Sequence, residues 1–242
     1  MTSRRKLVLC VLLWMSGVAG VAQVVDVTAK LVATSHPGFA ARKGSRPLVL
    51  GDVALWLTRV DDAGSARTAA PPKTAYRLLQ KNKMFSPHLL VVPAGSSVEF
   101  PNLDPFFHNV FSLFNGRRFD LGLYEIGARR AVRFEHEGVS YIFCNIHPEM
   151  GAIVLAVGSP YFGVSDANGA IAIHDVPPGK YRLHIWGEQF QADDSAVEHR
   201  IFAVSAENTS LGSIPLTYTS SPLAKHKNKF GEDYPAVPTP AY

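Results

Sequence analysis

With 242 residues, 47% of them hydrophobic and 18% charged, the chain has enough apolar material for one large or two small buried cores, which excludes a disordered polypeptide. Its formal charge of +4 is concentrated at the start: setting aside Arg4, Arg5 and Lys6 reduces 24 basic residues to 21 against 20 acidic ones. The remaining net charge of +1 gives no licence for nucleic-acid binding.

Met1-Thr2-Ser3-Arg4-Arg5-Lys6 leads into the apolar run Leu7 to Met15 and then into the small residues Ser16-Gly17-Val18-Ala19-Gly20-Val21-Ala22. This order predicts a secretory signal peptide over residues 1–22, cleaved after Ala22. An uncleaved membrane anchor is the rival reading, but the apolar run is short for a bilayer span and small residues follow it. Cys10 lies inside that run and follows Leu9, where lipidation would call for a small residue. The mature chain is therefore expected to be secreted, into the periplasm, without stable membrane insertion. Cleavage leaves Cys144 as its one cysteine of the 2 in the sequence. A lone thiol in an oxidising compartment invites damage unless it is buried or metal-bound, so ligation explains it better than packing.

From Val24 onward, short β-branched and aromatic runs alternate with Gly, Pro, Asp and Asn, which predicts an all-β protein. Strands are expected at Val24 to Val32, Asp52 to Val60, Leu89 to Val92, Ser97 to Phe100, Asn109 to Phe114, Ala131 to Glu135, Gly138 to Cys144 and Ala152 to Val157. These suit a sandwich over residues 23–158. Ala63 to Lys73 reads as an exposed loop, and Thr74 to Lys83 as a short helix or irregular connection. The basic cluster Arg117, Arg118, Arg129, Arg130 and Arg133 is read either as a solvated strand surface or as a docking patch for an acidic partner.

The chemistry concentrates in Cys144-Asn145-Ile146-His147-Pro148-Glu149-Met150. A thiolate, an imidazole and a thioether at three-residue spacing are soft and borderline donors that suit copper, and His108 supplies a second imidazole from Phe107-His108-Asn109-Val110-Phe111. Helical spacing of these three residues is not evidence for a helix. Pro148 has no N–H to give to the carbonyl of Cys144 and biases His147 away from helical geometry, so a tight loop after a strand is expected. Alternation puts Ile142 and Cys144 on one face of that strand and Val139, Tyr141 and Phe143 on the other. The remaining histidines, His36, His136, His174, His184, His199 and His226, lack the spacing and company of a metal site. His88 is left between a packing role and a second metal role. The absence of Cys-x-x-Cys-His disfavours haem, and a thioether would be wasted on structural zinc.

After Gly158-Ser159-Pro160 the pattern changes. Strands are expected at Tyr161 to Val164, Ala170 to Ile173, Tyr181 to Trp186, Glu198 to Val204 and Ser210 to Tyr218, with hairpin punctuation at Asn168-Gly169 and Pro178-Gly179. They would complete a small second sandwich over residues 159–219. Residues 220–242, with Lys225-His226-Lys227-Asn228-Lys229 and little apolar content, read as a disordered tail.

Gly95-Ser96-Ser97-Val98-Glu99-Phe100-Pro101-Asn102, His108-Asn109-Val110 and Tyr141 to Met150 together resemble the cupredoxin family, and the short Cys-x-x-His-x-x-Met loop most resembles its amicyanin members. The resemblance is strong over the second half of the first domain and weak over Val24 to Lys83. It implies a cupredoxin-type Greek-key β-sandwich holding one mononuclear type 1 copper, ligated by His108, Cys144, His147 and Met150, with Asn109 tethering the loop from behind. It also implies a non-enzymatic, monomeric carrier of single electrons between redox protein partners. Glu149 departs from the pattern, which has an apolar residue there, and is expected at a solvent-facing rim. Asp166 to Ile173 and Val176 to Tyr181 resemble the carboxypeptidase regulatory-like, transthyretin-type sandwich, which implies a fold without a reaction. Copper storage or delivery, and a scaffold or adhesion role, are the competing functions.

Overall fold

The computed structural model describes residues 23–34, 50–60, 75–113, 116–192, 200–218 and 226–234. The predicted signal peptide and the predicted loop at 63–73 lie outside these residues. The described residues contain strands and no helix, as the turn-rich, β-branched sequence leads one to expect.

Among the described residues the first strands are β1 (Val25–Thr34) and β2 (Val53–Arg59). In β1, Val27, Ala29 and Leu31 are buried and the residues between them are exposed, the period-two signature of a strand with one wet face. A contiguous unit then follows: β3 (Tyr76–Arg77), β4 (Leu79–Lys81), β5 (Met84–Ser86), β6 (Leu89–Pro93), β7 (Ser96–Pro101), β8 (His108–Ser112), β9 (Phe119–Tyr124), β10 (Arg129–Phe134), β11 (Gly138–Cys144) and β12 (Gly151–Val157). Five of these form a sheet in the order β6-β12-β11-β8-β9, and three form β10-β7-β3. Leu78, Phe100, Phe134, Ile142 and Val154 are among the side chains that fill the space between the two layers.

Of the stretch Thr74 to Lys83, the described residues 75–83 contain neither a helix nor an irregular link. β4 and β5 pair as a hairpin through Asn82 and Lys83, both with φ of 56°. That is the mirror-image turn whose twist suits a two-residue hairpin, and Asn tolerates it. Strand β9 also lacked a predicted counterpart; it carries Phe119, Leu121 and Leu123 but no β-branched residue.

The last strands are β13 (Phe162–Val164), β14 (Ala170–Val176), β15 (Gly179–Gly187), β16 (Phe190–Ala192), β17 (Ile201–Val204) and β18 (Ser210–Tyr218). They do not make a self-sufficient sandwich, because β1 and β2 join them. The sheet runs β13-β2-β15-β16-β18-β1-β14, with β17 on β15. Val27, Leu31, Leu55 and Leu57 from the N-terminal strands share one core with Ile173, Leu183, Phe202 and Ile214. Gly163 of β13 lies so close to Ala172 of β14 that a Cβ would strike its backbone carbonyl, so the two ends of the sheet curl together there.

The expected division at residues 23–158 and 159–219 is therefore corrected. Residues 25–59 pair and pack with 162–218, and 76–157 form a unit inserted between β2 and β13. Those two strands are neighbours, with Trp56 opposite Phe162, so the insertion leaves and returns at adjacent points. The outer face of its five-stranded sheet carries Leu89, Val91, Ile153, Leu155 and Val157. This face packs on Ala54, Trp56, Phe162 and Trp186 of the other unit.

Candidate metal centre

Two neighbouring strands and one loop bring the candidate ligands together. In β11 the expected alternation holds: Ile142 and Cys144 face the core between the layers, while Val139 and Tyr141 face the second unit. β8 pairs antiparallel with β11, Cys144 opposite Val110, which sets His108 two residues further along at the same end. The loop after Cys144 closes on itself: the amide of Met150 donates to His147 O at 3.1 Å and that of Cys144 to Met150 O at 3.2 Å. Met150 is thereby drawn into full burial in the same core as Cys144.

Cys144 Sγ lies 3.6 Å from His108 Nδ1 and 3.5 Å from His147 Nδ1. Among the described residues these three are the one group of His, Cys, Asp or Glu side chains with donor atoms, all within 4.8 Å, placed to hold a metal ion. Bonds of about 2.0 Å to nitrogen and about 2.3 Å to sulfur, as zinc makes, place S···N edges at roughly 3.5–3.8 Å for angles between tetrahedral and trigonal. The observed spacing thus fits one first-row ion at the centre. Thiolate and imidazole donors exclude calcium and magnesium and suit copper or zinc.

The electrostatics favour a metal over protons. Burial pulls His147 down to about 4, helped by the charges of His108 and Lys83. Burial also pulls His108 below the usual imidazole range, against an opposing pull from Asp104. Both rings are consequently neutral near pH 7 with a lone pair to offer. Burial pushes the Cys144 thiol up, opposed by backbone N–H groups of Asn109, Ile146 and His147 aimed at the sulfur. A cation beside the sulfur would favour the thiolate those donors are arranged to receive.

The surrounding contacts divide between expected and unexpected ones. Asn109, buried, tethers the loop through its backbone, its carbonyl accepting the Asn145 N–H at 3.1 Å. Its side chain turns the other way and donates to Asp120 at 2.7 Å. Glu149 is exposed at the rim, as expected. His88 pairs with Glu188 at 2.8 Å across the two units and is not part of the donor group. The Arg117, Arg118, Arg129, Arg130 and Arg133 side chains are exposed.

Sequence reasoning missed two contributors. Asp104, 3% exposed, accepts the His108 Nε2–H at 2.9 Å. The available signal was a carboxylate four residues before the histidine in the turn Asn102-Leu103-Asp104-Pro105. The second is the tail. Residues 226–234 lie against the candidate ligand loop, which corrects the expectation of disorder for that part of 220–242; His226 is a hydrogen-bonded histidine outside the donor group. The His226 ring stacks on Phe143 with centroids 4.0 Å apart, and its Nε2–H donates to Pro148 O at 2.5 Å. The Lys229 amide donates to Asn145 Oδ1 at 2.9 Å, its ammonium pairs with Asp120, and the Tyr234 hydroxyl donates to Cys144 O at 2.8 Å. Specific polar contacts and one aromatic stack hold this segment where bulk apolar content does not.

No protein-family model matches the sequence, and no curated protein matches it. Among solved structures the chain is similar to a purple cupredoxin from Nitrosopumilus maritimus, with 26% identity over 34% of this chain and 99% of that one and a TM-score of 0.31. It is also similar to a Cu-containing nitrite reductase from Thermus scotoductus, with 22% identity, 41% of this chain, 25% of that one and a TM-score of 0.34. A reduced mutant of amicyanin matches at 19% identity over 38% of this chain and 90% of that one, with a TM-score of 0.33. The assignment of ligands rests on the donor geometry above.

Proposed function

We propose that this chain is an exported copper protein that carries single electrons between redox protein partners in the periplasm, with no substrate turnover of its own. The observation that supports this best is the convergence of Cys144 Sγ, His108 Nδ1 and His147 Nδ1 beside the buried Met150. Copper bound there would supply a one-electron couple, Cu(II)/Cu(I).

The chain's own residues do the remaining work. His108, Cys144 and His147 would be the strong ligands and Met150 a weak sulfur donor that tunes potential. Two strands and a self-bonded loop hold the strong ligands at fixed spacing, so little reorganisation accompanies a change of oxidation state. Full burial of His108, Cys144 and Met150 excludes water. His147 is only half-buried and gives electrons a short way in and out. The second unit, in this reading, is a transthyretin-like frame with no reaction of its own.

The test is a Cu(II) titration of residues 23–242 followed by visible absorption and electron paramagnetic resonance. An intense thiolate-to-copper band with narrow hyperfine splitting is expected, and Cys144→Ser should abolish it. Ordinary tetragonal copper signals in the unaltered protein would sink the electron-carrier reading. Met150→Leu should keep copper bound and raise its potential; an unchanged potential would remove Met150 from the ligand set.

A further inference from the structure

Asp104 is a buried carboxylate whose partners form a connected set. Its Oδ1 accepts the Asn82 amide at 2.6 Å, and its Oδ2 accepts the Lys83 amide at 3.0 Å and the His108 Nε2–H at 2.9 Å. Its own amide donates to Asn102 Oδ1 at 2.9 Å, and Asn102 in turn donates to Phe106 O and Tyr124 O. The β4–β5 turn, the Asn102 loop and the start of β8 therefore meet on one side chain. Among the described residues its only ion-pairing partner within 4.0 Å is His108.

Two consequences follow. Because a carboxylate can only accept, His108 carries its proton on Nε2, which leaves Nδ1 as a lone pair directed toward Cys144 Sγ. The second consequence is a matter of charge. A buried anion with a neutral imidazole for a partner lacks a full counter-charge. With the Cys144 thiolate it brings two negative charges to the site, only partly offset by the charge of Lys83, which reaches His108 and His147; each negative charge favours Cu(II) over Cu(I).

We propose that Asp104 is a positioning residue that sets the redox balance of this centre, holding His108 as a strong donor and favouring oxidised over reduced copper. The proposal rests on the copper reading above and adds to it a direction: the centre works at a lower potential than it would with a neutral acceptor behind His108. Removing such an outer carboxylate typically costs 10–100-fold in metal affinity. If that loss falls on Cu(II) alone, a one-electron couple rises by about 59 mV per tenfold, or about 60–120 mV in all.

Cu(II) affinity, Cu(I) affinity and reduction potential are to be measured for residues 23–242 unaltered, as Asp104→Asn, and as the conservative Asp104→Glu. Asp104→Asn should lose about 10–100-fold in Cu(II) affinity, keep its Cu(I) affinity, and rise in potential accordingly; Asp104→Glu should restore part of the difference. Equal losses for both oxidation states, or an unmoved potential, would overturn the proposal. An unaltered protein without a thiolate charge-transfer band sinks the copper reading before any variant is compared, so the two failures are distinguishable. If Asp104→Asn does not fold, nitrogen NMR of the unaltered metal-free protein decides: a slowly exchanging His108 Nε2–H supports Asp104 in this role, and a proton on Nδ1 overturns it.

Discussion

The two units of this molecule bury similar cores but are built in opposite ways. The unit with the candidate metal centre is contiguous, from β3 to β12, and its Cys144–Met150 loop is closed by bonds between near neighbours in sequence. The other unit is discontinuous: β1 pairs antiparallel with β14 and parallel with β18, and β2 pairs with β13 and β15. An inserted unit whose ends meet at adjacent strands can be stabilised by its own ligand without the host closing first. The host must bring strands more than a hundred residues apart together, and its core forms only when both segments are present.

The sharpest way to break the comparison is to damage each core separately. Phe100→Ala and Leu183→Ala remove fully buried side chains from the inserted and host cores, respectively. Each should cost roughly 2–5 kcal/mol. Copper stabilises whichever folded unit holds it, in proportion to the logarithm of free ligand over Kd. Calorimetry with and without Cu(I) should therefore show copper offsetting Phe100→Ala and leaving the Leu183→Ala transition in place. A single transition that copper raises equally in both variants would show that the units unfold as one.

A smaller effect is expected at the seam between them. Leu155 of β12 is buried against the host unit, and Leu155→Ala should cost about 2 kcal/mol, at the low end of such substitutions. In the calorimeter it should separate two transitions that overlap in the unaltered protein while sparing the copper spectrum. A lost spectrum would mean that the outer face of the sheet holds the ligand end in place.

Much of this architecture was legible, and each exception has a physical cause. Strand β1 was expected at Val24 to Val32 from its β-branched run and is found at Val25–Thr34, where the period of two in Val27, Ala29 and Leu31 separates a wet face from a dry one. The period does not report which strand lies alongside, so assigning β1 and β2 to the unit with the candidate metal centre had no sequence signal to correct it. The stretch Cys144 to Met150 was readable as a candidate ligand loop because Pro148 and three donors fall within seven residues. Asp104 was not, since one carboxylate in a Pro-flanked turn resembles any other until the turn is known to abut His108. The tail escaped for a different reason: His226, Lys229 and Tyr234 act through isolated contacts on Phe143, Pro148, Asn145, Asp120 and Cys144, and such contacts leave no periodic trace.

Tyr234 provides the next test in order of size. Its hydroxyl is tied to the Cys144 carbonyl, and burial raises its pKa, as does the nearby Cys144 charge. Tyr234→Phe deletes one hydrogen bond and keeps the ring, at a cost of about 0.5–1.5 kcal/mol. If the tail steadies the loop, the copper hyperfine pattern should broaden while the fold persists. An identical spectrum and an identical melting temperature would show that residues 226–234 cover the loop without constraining it.

The smallest expected effect lies at the seam and depends on pH. His88 follows β5 in the inserted unit and Glu188 lies between β15 and β16 in the host. The hydrogen bond to Glu188 raises the His88 pKa above 6.5, reinforced by the charges of Glu188 and Asp52 and the backbone of Gly151, against the opposing pull of burial. A raised value means that the folded protein holds the proton more tightly than the unfolded chain does. The pair's contribution is then complete below pH 6.5 and is lost as pH climbs through the folded value. His88 is 40% exposed, so screening limits the contribution to about 0.2–1 kcal/mol. Melting temperatures of the unaltered protein and of His88→Gln should differ most on the acid side and converge as pH rises. A difference that grows with pH instead would mean that His88 is neutral in the folded protein, leaving the apolar face of β6 and β12 to hold the units together alone.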